Sequence, residues 1–311
     1  MDLCKTSTVR ALLEKYSLAP KKAFGQNFLI NPAIPQTIAE CSYDAACRSG
    51  SGQHAVLEIG PGVGALTVCL SDIFDRVVAV EIDRGLIPLL GEVLAGRDNA
   101  EVIEGDIMNL SVPELIRDKF GDILDAGGTL NVCANLPYYI TSPVIMKLLE
   151  AYPLTCRPPY SALTFMIQLE VAERLAASPG TSEYGAITAA VALRADVKRE
   201  FTVSAGNFYP APKVSSSVVS LLPHGGICDV YPDVAGSRIK PDELGSRTAA
   251  VITAAFAKRR KTLVNALSEM YPKSAVTAAL DRCGLRTDIR GERLSAYDFC
   301  RLTDALASSQ N

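Results

Sequence analysis

Short apolar runs alternate with stretches of helical spacing through the first two-thirds of the chain. The apolar runs are rich in Val, Ile, Leu and Ala, which is typical of buried strands. They occupy residues 55–59, 77–80, 101–103, 130–134 and 162–167. Strands that alternate with helices predict an α/β fold, with a parallel sheet covered by helices on both faces. Two later β-rich runs, 198–203 and 214–222, predict an antiparallel hairpin at one edge.

Helical spacing of apolar residues places helices between and around these strands. The predicted helices are residues 5–16, 31–41, 65–73, 84–94, 170–177 and 186–195. A Thr-Ser-Pro sequence at residues 141–143 is a further signal for a helix start. Pro88 predicts an irregularity within the fourth helix.

The last quarter of the chain has a different organisation. Residues 223–245 are rich in Gly, Pro and Asp and have no clear period, which predicts a linker. Helices are then predicted at residues 246–268, 274–283 and 295–307. The predicted domains are an α/β domain over residues 1–222 with an N-terminal arm over residues 1–30, the linker, and a helical domain over residues 246–311.

Composition narrows the class of protein. Hydrophobic residues make up 48% of the 311 positions and charged residues 21%, which is ordinary for a soluble globular protein. The sequence contains neither an apolar run long enough to cross a membrane nor a signal-peptide core near Met1. Nine cysteines without a CxxC pair predict reduced thiols in a cytoplasmic protein, without disulfides or a metal site. The net charge of −3 excludes a globally basic surface, so any nucleic acid must be held by local patches.

A polar and aromatic stretch, Asn135-Leu136-Pro137-Tyr138-Tyr139, follows the fourth apolar run. The carboxyl ends of strands are where open α/β sheets bind ligands. The Asn135 oxygen and a backbone carbonyl can accept hydrogen bonds from an exocyclic amine, while Tyr138 stacks on the ring that carries it. Taken alone, the stretch fits a helix-entry turn with two half-buried tyrosines equally well. Tyr139 is expected to pack in the interior rather than to stack on a base.

A glycine-rich turn, Gly60-Pro61-Gly62-Val63-Gly64, follows the first apolar run and precedes a helix. With Ala65 it satisfies the dinucleotide fingerprint, and Glu81 matches the acid that binds ribose. The turn alone therefore fits a nicotinamide enzyme or an S-adenosylmethionine enzyme. Glu58 beside the turn suits a cationic ligand better than a pyrophosphate, and Asp106 can accept from an adenine amine or cap a helix. Together these carboxylates favour S-adenosylmethionine.

Basic residues cluster in two places. The segment 21–29 is basic and aromatic around Gly25, which predicts a loop that folds over a ligand or, equally, a plain connector. Residues 258–261 form a denser run than scattered surface charge does, which favours RNA binding over a solvated helix surface.

With residues 21–29, 58–64, Glu81, Asp106 and 135–139 in this order, the chain resembles the ribosomal RNA adenine dimethyltransferases, and most closely their bacterial small-subunit branch. Further matching motifs are Phe165-Met166-Ile167-Gln168, Glu170-Val171-Ala172-Glu173-Arg174, Tyr184-Gly185, Phe208 with Pro210, Pro212, Lys213 and Val214, and Arg259-Arg260-Lys261-Thr262. The resemblance spans residues 20–300.

The resemblance implies a Rossmann-like, S-adenosylmethionine-dependent methyltransferase domain and a small helical domain that helps to bind RNA. The implied cofactor contacts are Asn27, Leu29, Gly60, Gly62, Glu81, Ile82, Asp106, Ile107 and Asn135. The implied catalytic residues, which hold the target adenine, are Asn135, Leu136, Pro137, Tyr138 and Phe208. The implied RNA-binding residues are Lys21, Lys22, Lys198, Arg199, Lys258, Arg259, Arg260 and Lys261, together with the arginines at 282, 286, 290 and 293.

The implied reaction is N6-dimethylation of two adjacent adenines in a hairpin loop near the 3′ end of small-subunit ribosomal RNA. The implied partner is an immature 30S particle, with the enzyme acting as a monomer in subunit biogenesis. Leu169, Ser215 and Val264 depart from the usual family pattern, in ways expected to affect RNA contacts rather than chemistry. The alternatives are a large-subunit methyltransferase of the antibiotic-resistance type and a mainly non-catalytic assembly factor, and a dehydrogenase is the weakest interpretation.

Overall fold

A seven-stranded sheet forms the centre of the larger of two units in the computed structural model, which describes residues 2–21, 24–237, 239–258 and 260–307. Contacts assign residues 1–151, 159–172 and 198–222 to this first unit. The second unit contains residues 152–158, 173–197 and 223–311.

The strands of the first unit follow the predicted apolar runs with small differences at their ends. The strands are β1 (Phe28–Leu29), β2 (His54–Ile59), β3 (Arg76–Glu81), β4 (Ala100–Glu104), β5 (Thr129–Asn135), β6 (Tyr160–Gln168), β7 (Ala195–Val203), β8 (Phe208–Tyr209) and β9 (Ser216–Pro223). The large sheet has the order β4-β3-β2-β5-β6-β9-β7. Strands β2 to β6 pair in parallel, and β9 pairs antiparallel with β6. The two late strands therefore lie side by side at one edge, as predicted.

Helices follow most of the parallel strands. They are α1 (Thr6–Lys15), α2 (Ala33–Ser49), α3 (Ala65–Ile73), α4 (Leu86–Val93), α5 (Val112–Asp125), α6 (Thr141–Glu150) and α7 (Leu169–Leu175). Helix α2 is longer than predicted, and α5 was not predicted at all. Helix α4 begins at Leu86, so that Pro88 lies in its first turn, where a missing N–H group costs little.

The order of the strands creates a crevice at the carboxyl ends of the central strands. The chain runs from β2 outward through β3 and β4, and then returns to β5 on the other side of β2. Loops after β2 and β5 therefore diverge in opposite directions, which leaves an opening outside the carboxyl ends of these two strands. The residues that follow β2 and end β5 are Gly60 and Asn135.

A separate two-stranded sheet joins distant parts of the sequence. Phe28 pairs with Tyr209 and Leu29 pairs with Phe208 in antiparallel register. Phe28 and the apolar face of α1 pack on α4, around Leu86, Leu89 and Leu90. The arm is therefore anchored by a helix on one side and by β8 on the other.

The second unit is helical. Its helices are α8 (Ala186–Ala192), α9 (Ile227–Val230), α10 (Pro241–Ala257), α11 (Leu263–Ala266), α12 (Lys273–Arg282) and α13 (Ala296–Ala307). Leu244, Val251, Phe299 and Leu302 are fully buried in one apolar core of this unit.

The prediction of a linker over residues 223–245 was wrong. Ile227 is fully buried in the helical core, Pro232–Gly236 forms a 3-10 turn, and α10 begins at Pro241. The Gly and Pro residues that suggested a linker are turn residues between short helices. Residues 173–197, predicted to belong to the α/β domain, also belong to the helical unit.

Two general properties bear on the class of protein. None of the helices in the described ranges has the length and apolar character needed to span a bilayer. All nine cysteines are free thiols.

Candidate active site

A pocket of about 210 Å³ lies at the carboxyl ends of β2, β3, β4 and β5 in the first unit. The loops that follow these strands form most of its wall, and the arm and β8 complete it. Every residue predicted to bind the cofactor or the target base lines this pocket: Asn27, Leu29, Gly60, Gly62, Glu81, Ile82, Asp106, Ile107, Asn135, Leu136, Pro137, Tyr138 and Phe208. The structure thus brings together residues that are up to 181 positions apart, a span fixed by the numbering of Asn27 and Phe208.

The turn after β2 leaves its backbone open to the pocket. Gly60 has a φ of +70°, a left-handed conformation that residues with a Cβ adopt only at a cost. Its N–H donates to the Val80 carbonyl at 2.9 Å, which fixes the start of the turn. A Cβ added to Gly60 would meet no atom within 4 Å. A ligand can therefore approach the main chain here more closely than at any residue with a side chain.

Glu81 ends β3 with its carboxylate 4% exposed. One oxygen accepts from the Gly62 N–H at 3.1 Å, and the other accepts from the Asp83 N–H at 2.8 Å. These bonds fix the carboxylate beside the glycine turn. Burial raises the pKa of Glu81, although the backbone donors act in the opposite direction. Each oxygen has a second lone pair, so the group can accept two further hydrogen bonds, as a vicinal diol requires.

Glu58 is more deeply buried than the sequence suggested. Its side chain is 1% exposed, and its Oε2 has no hydrogen-bond partner among the described residues. Burial, with a contribution from Glu81, raises the pKa of Glu58 to about 8. The carboxyl group is therefore largely protonated at pH 7, and not the anion that the sequence predicts beside the turn. A cation placed next to it lowers that pKa and restores the negative charge.

Asp106 caps a turn and also lines the pocket. Its Oδ1 accepts from the Met108 N–H at 2.8 Å, and its Oδ2 accepts from the Asn109 side chain at 3.0 Å. The residue thus caps a turn after β4 while its carboxylate lines the pocket. The same turn is held from α6, because Lys147 Nζ donates to the Met108 carbonyl at 2.6 Å. Lys147 was missed, since it belongs to no motif and only the fold brings it to this loop.

Asn135 is the last residue of β5 and lines the pocket. Its Nδ2 donates to the Asn27 carbonyl at 3.1 Å, which ties it to the arm and leaves Oδ1 as the acceptor. The neighbouring Leu136 N–H donates to the Met166 carbonyl at 3.1 Å, so the backbone of the turn is fixed by β6. The Pro137 carbonyl accepts from Ile140, which closes the turn. The site can therefore present a rigid amide oxygen to an amine.

Two aromatic residues flank this amide. Tyr138 is half-buried, and its hydroxyl lies 2.9 Å from the Ser216 Oγ. Burial raises the pKa of Tyr138. Phe208 is buried, and β8 holds it in the wall of the pocket. Ser216 was missed, because nothing in its own sequence neighbourhood marks it as a partner for a tyrosine.

The expectation for Tyr139 was wrong. Its side chain is 58% exposed, so it is not a packing residue of the interior. The first tyrosine of the pair is tied down inside the pocket, and the second lies at its edge.

Several of the residues predicted to bind RNA form ion pairs with carboxylates of the protein itself. Lys21, Lys198 and Lys258 form ion pairs with Asp83, Glu200 and Glu269, respectively. Arg199, Arg260 and Lys261 are exposed. Lys22 and Arg259 lie outside the described residues.

The arginines near the end of the chain share this pattern. Arg286 and Arg290 pair with Asp288 and Glu292. No group of three His, Cys, Asp or Glu residues in the described ranges is placed to hold a metal ion.

Comparison with known proteins identifies the family. The model of the family described as ribosomal RNA adenine dimethylase matches residues 18–308. A protein of Shouchella clausii named ribosomal RNA small subunit methyltransferase A is 39% identical over an alignment of 316 positions, gaps included, that covers 99% of this chain and 97% of its own length. A protein of the same name from Alkaliphilus metalliredigens is 38% identical over 307 residues, 98% of each chain.

Solved structures show the same relationship. A dimethyladenosine transferase from Plasmodium falciparum aligns with a TM-score of 0.66 and 27% identity, over 88% of this chain and 95% of its own. The 23S rRNA methyltransferase ErmE aligns with a TM-score of 0.63 and 25% identity, over 90% of this chain and 100% of its own. The chain therefore belongs to the ribosomal RNA adenine dimethylase family of Rossmann-like, S-adenosylmethionine-dependent methyltransferases.

Proposed function

We propose that this enzyme methylates N6 of two adjacent adenines in a hairpin loop near the 3′ end of small-subunit ribosomal RNA, within an immature 30S particle. The observation that carries the proposal is the position of Asn135. Its Nδ2 is committed to the Asn27 carbonyl, so Oδ1 is available to an exocyclic amine. Glu81, the open backbone of Gly60, Tyr138 and Phe208 line the same pocket as this amide.

The residues at the glycine turn and after β3 and β4 fit S-adenosylmethionine. Gly60 leaves space for a ligand against the main chain, and Glu81 has free lone pairs for the ribose hydroxyls. Asp106 is placed to accept from the adenine amine, and Ile107 lines the same part of the pocket. Ile82 is 43% exposed at the pocket, an apolar surface that a purine ring covers well. S-adenosylmethionine, when bound, supplies an electrophilic methyl group.

Asn135 and Leu136 prepare adenine N6, the atom that accepts the methyl group. The lone pair of an adenine amine is delocalised into the ring, which makes N6 a weak nucleophile. Hydrogen bonds from this amine to Asn135 Oδ1 and to the Leu136 carbonyl favour a pyramidal nitrogen and direct its lone pair. The chain thus contributes positioning and electrostatic stabilisation, and N6 needs no general base before the new bond forms.

The target adenine must leave its stack to reach this amide. Tyr138 and Phe208 offer aromatic surface that compensates for the unstacking, which costs a few kcal/mol. The hydrogen bond between the Tyr138 and Ser216 hydroxyls restrains the Tyr138 ring, so little conformational entropy is lost when the base binds.

The small-subunit assignment has support from two curated relatives, which carry that name at 38–39% identity. The likeness to a 23S rRNA methyltransferase keeps the large-subunit alternative open to test. We further propose that the enzyme acts as a monomer in the cytoplasm, and that the helical unit contributes RNA contacts through Arg260 and Lys261.

Two experiments test the proposal. Wild-type enzyme and Asn135→Ala are expressed in a strain that lacks the endogenous activity, and both ribosomal RNAs are examined by primer extension. We expect adjacent stops near the 3′ end of the small-subunit RNA with wild type, and a loss of about 10²–10³-fold in rate with the variant. The exposed Asn265→Ala serves as a matched control. A mark on the large subunit alone would refute the assignment.

The second experiment separates catalysis from assembly. If Asn135→Ala restores subunit assembly fully in the deletion strain, methylation is not the main role, and the assembly-factor alternative is favoured. Binding of labelled S-adenosylmethionine, in competition with NAD, removes or supports the dehydrogenase alternative.

A further inference from the structure

Tyr139 is the most exposed large apolar or aromatic side chain among the described residues, and it is part of the pocket wall. Its neighbour Tyr138 is half-buried, and its hydroxyl lies 2.9 Å from the Ser216 Oγ. Two consecutive tyrosines therefore provide one aromatic ring inside the pocket and one at its rim. The Tyr138 ring stacks on the target base in the proposed function, whereas the Tyr139 ring has no role in the reaction described above.

The Tyr139 ring lies beside the arm. A Cβ added to Gly25 would lie 3.5 Å from both Cδ1 and Cε1 of Tyr139, and 3.2 Å from the Pro137 Cβ. Gly25 therefore lies next to one edge of the ring, and a larger side chain at this position would meet it. A tyrosine has only two side-chain torsions, so it offers a large flat surface at a low cost in conformational entropy.

The surroundings of the ring suit a nucleobase. Phe24, which precedes Gly25 in the arm, also lines the pocket, and the Lys21 ammonium lies 5.6 Å from the centroid of its ring. Aromatic surface next to a cation is the combination that single-stranded nucleic acid uses, since bases stack and the cation lies near the backbone. The Lys21 charge is shared with Asp83, so the aromatic ring rather than the cation must supply most of the contact.

We propose that Tyr139 forms a second base-binding subsite, which stacks on the unpaired nucleobase next to the target adenine in the same RNA strand. This inference rests on the proposed function. A strand whose target base enters the pocket past Tyr138 continues at the rim, where Tyr139 lies within one residue of the inner subsite. The subsite selects RNA in which the target has an unstacked neighbour, and it accepts any base because stacking does not depend on hydrogen-bond pattern.

The test combines a protein change with an RNA change. Tyr139→Ala, Tyr139→Leu and Tyr139→Phe are compared with wild type on reconstituted small-subunit particles. One particle carries natural RNA, and the other carries an abasic nucleotide beside a single remaining target adenine. The KM for the particle, kcat, and the Kd for labelled S-adenosylmethionine are measured for each pair.

We expect Tyr139→Ala to raise the KM for the natural particle about tenfold, a size in the range of base–aromatic stacking. Tyr139→Phe retains the wild-type KM, and Tyr139→Leu resembles Tyr139→Ala because apolar area without a π-face is not sufficient. The abasic particle raises the wild-type KM to a similar extent, and it raises the KM of Tyr139→Ala no further. The Kd for S-adenosylmethionine is the same in all four proteins.

Three results would overturn the subsite. One is an unchanged KM for Tyr139→Ala on the natural particle. Another is that Tyr139→Ala and the abasic nucleotide each raise the KM by the same factor whether or not the other change is present. Such independent effects exclude contact between the two groups. The third is a rescue by Leu together with a fall in thermal stability for Ala, which indicates packing. If wild-type enzyme marks no adenine in either ribosomal RNA, the proposed function fails instead, and the two failures are distinguishable.

Discussion

Glu58 allows a prediction that separates charge from shape. The side chain is 1% exposed in the floor of the pocket, and Oε2 has no partner among the described residues. Replacing it with Gln keeps the size of the group and removes its ability to ionise. Protonated Glu and Gln are close in shape and both neutral, so the two proteins should have similar stability at low pH.

The magnitude follows from the pKa. Burial raises the pKa of Glu58 from its ordinary value of 4.5 to about 8 in the folded protein. Between these values the folded state retains a proton that the unfolded state has lost, so the wild-type free energy of unfolding falls as pH rises. The fall is at most about 1.4 kcal/mol per pH unit, or about 5 kcal/mol over roughly 3.5 units. Relaxation around the buried charge makes this an upper bound.

The assay is urea unfolding at half-unit steps from pH 5 to pH 9, followed by far-UV circular dichroism because the chain has no Trp. We expect the advantage of Glu58→Gln over wild type to be small at pH 5, to grow steadily, and to level off above pH 8. The exposed Glu14→Gln serves as the control for the loss of a carboxyl group at the surface. An advantage for Glu58→Gln that is the same at pH 5 and pH 8 would refute the raised pKa, and with it the account of the pocket floor.

Two further predictions concern the cofactor side of the pocket. Gly60→Ala should raise the Kd for S-adenosylmethionine at least tenfold, measured by equilibrium dialysis, because its Cβ occupies open space at the pocket. Gly96→Ala is the matched control: it has a similar φ of +82° and open surroundings, and should lose about 1–2 kcal/mol of stability from backbone strain without a change in this Kd. Lys147→Met removes the bond to the Met108 carbonyl and should also raise the Kd about tenfold, since hydrogen bonds to charged groups contribute about 1.5–3 kcal/mol. Lys147→Arg should recover part of the affinity, and equal affinities for the Met variant and wild type would exclude a positioning role.

The parallel part of the fold was accessible from the sequence because buried strands leave continuous apolar runs. Helix α3 was predicted with the bounds that it has in the structure. Helix α5 was overlooked, although its buried Val112, Ile116, Phe120 and Ile123 recur at helical spacing. The order of the strands, in which β9 lies between β6 and β7, depends on long-range pairing that no local pattern records.

The site was predicted where local motifs carried it. Gly60, Glu81, Asp106 and Asn135 each follow or end a strand, so their convergence follows from the geometry of a parallel sheet. Burial was not predictable in the same way. The protonation of Glu58 and the exposure of Tyr139 depend on which neighbours the fold supplies, and residues of the same type occur in both kinds of environment.

The short pairing of β1 with β8 makes the pocket depend on a long stretch of the chain. Residues 54–135 contain β2 to β5, whereas Phe28 and Leu29 pair with Tyr209 and Phe208. A fragment that ends before these positions lacks Phe208 in the pocket wall and the strand that pairs with the arm. Contacts so distant in sequence are slow to form, because loop closure must come first. Any shortened form of this protein must therefore extend past residue 209 to keep the pocket wall intact.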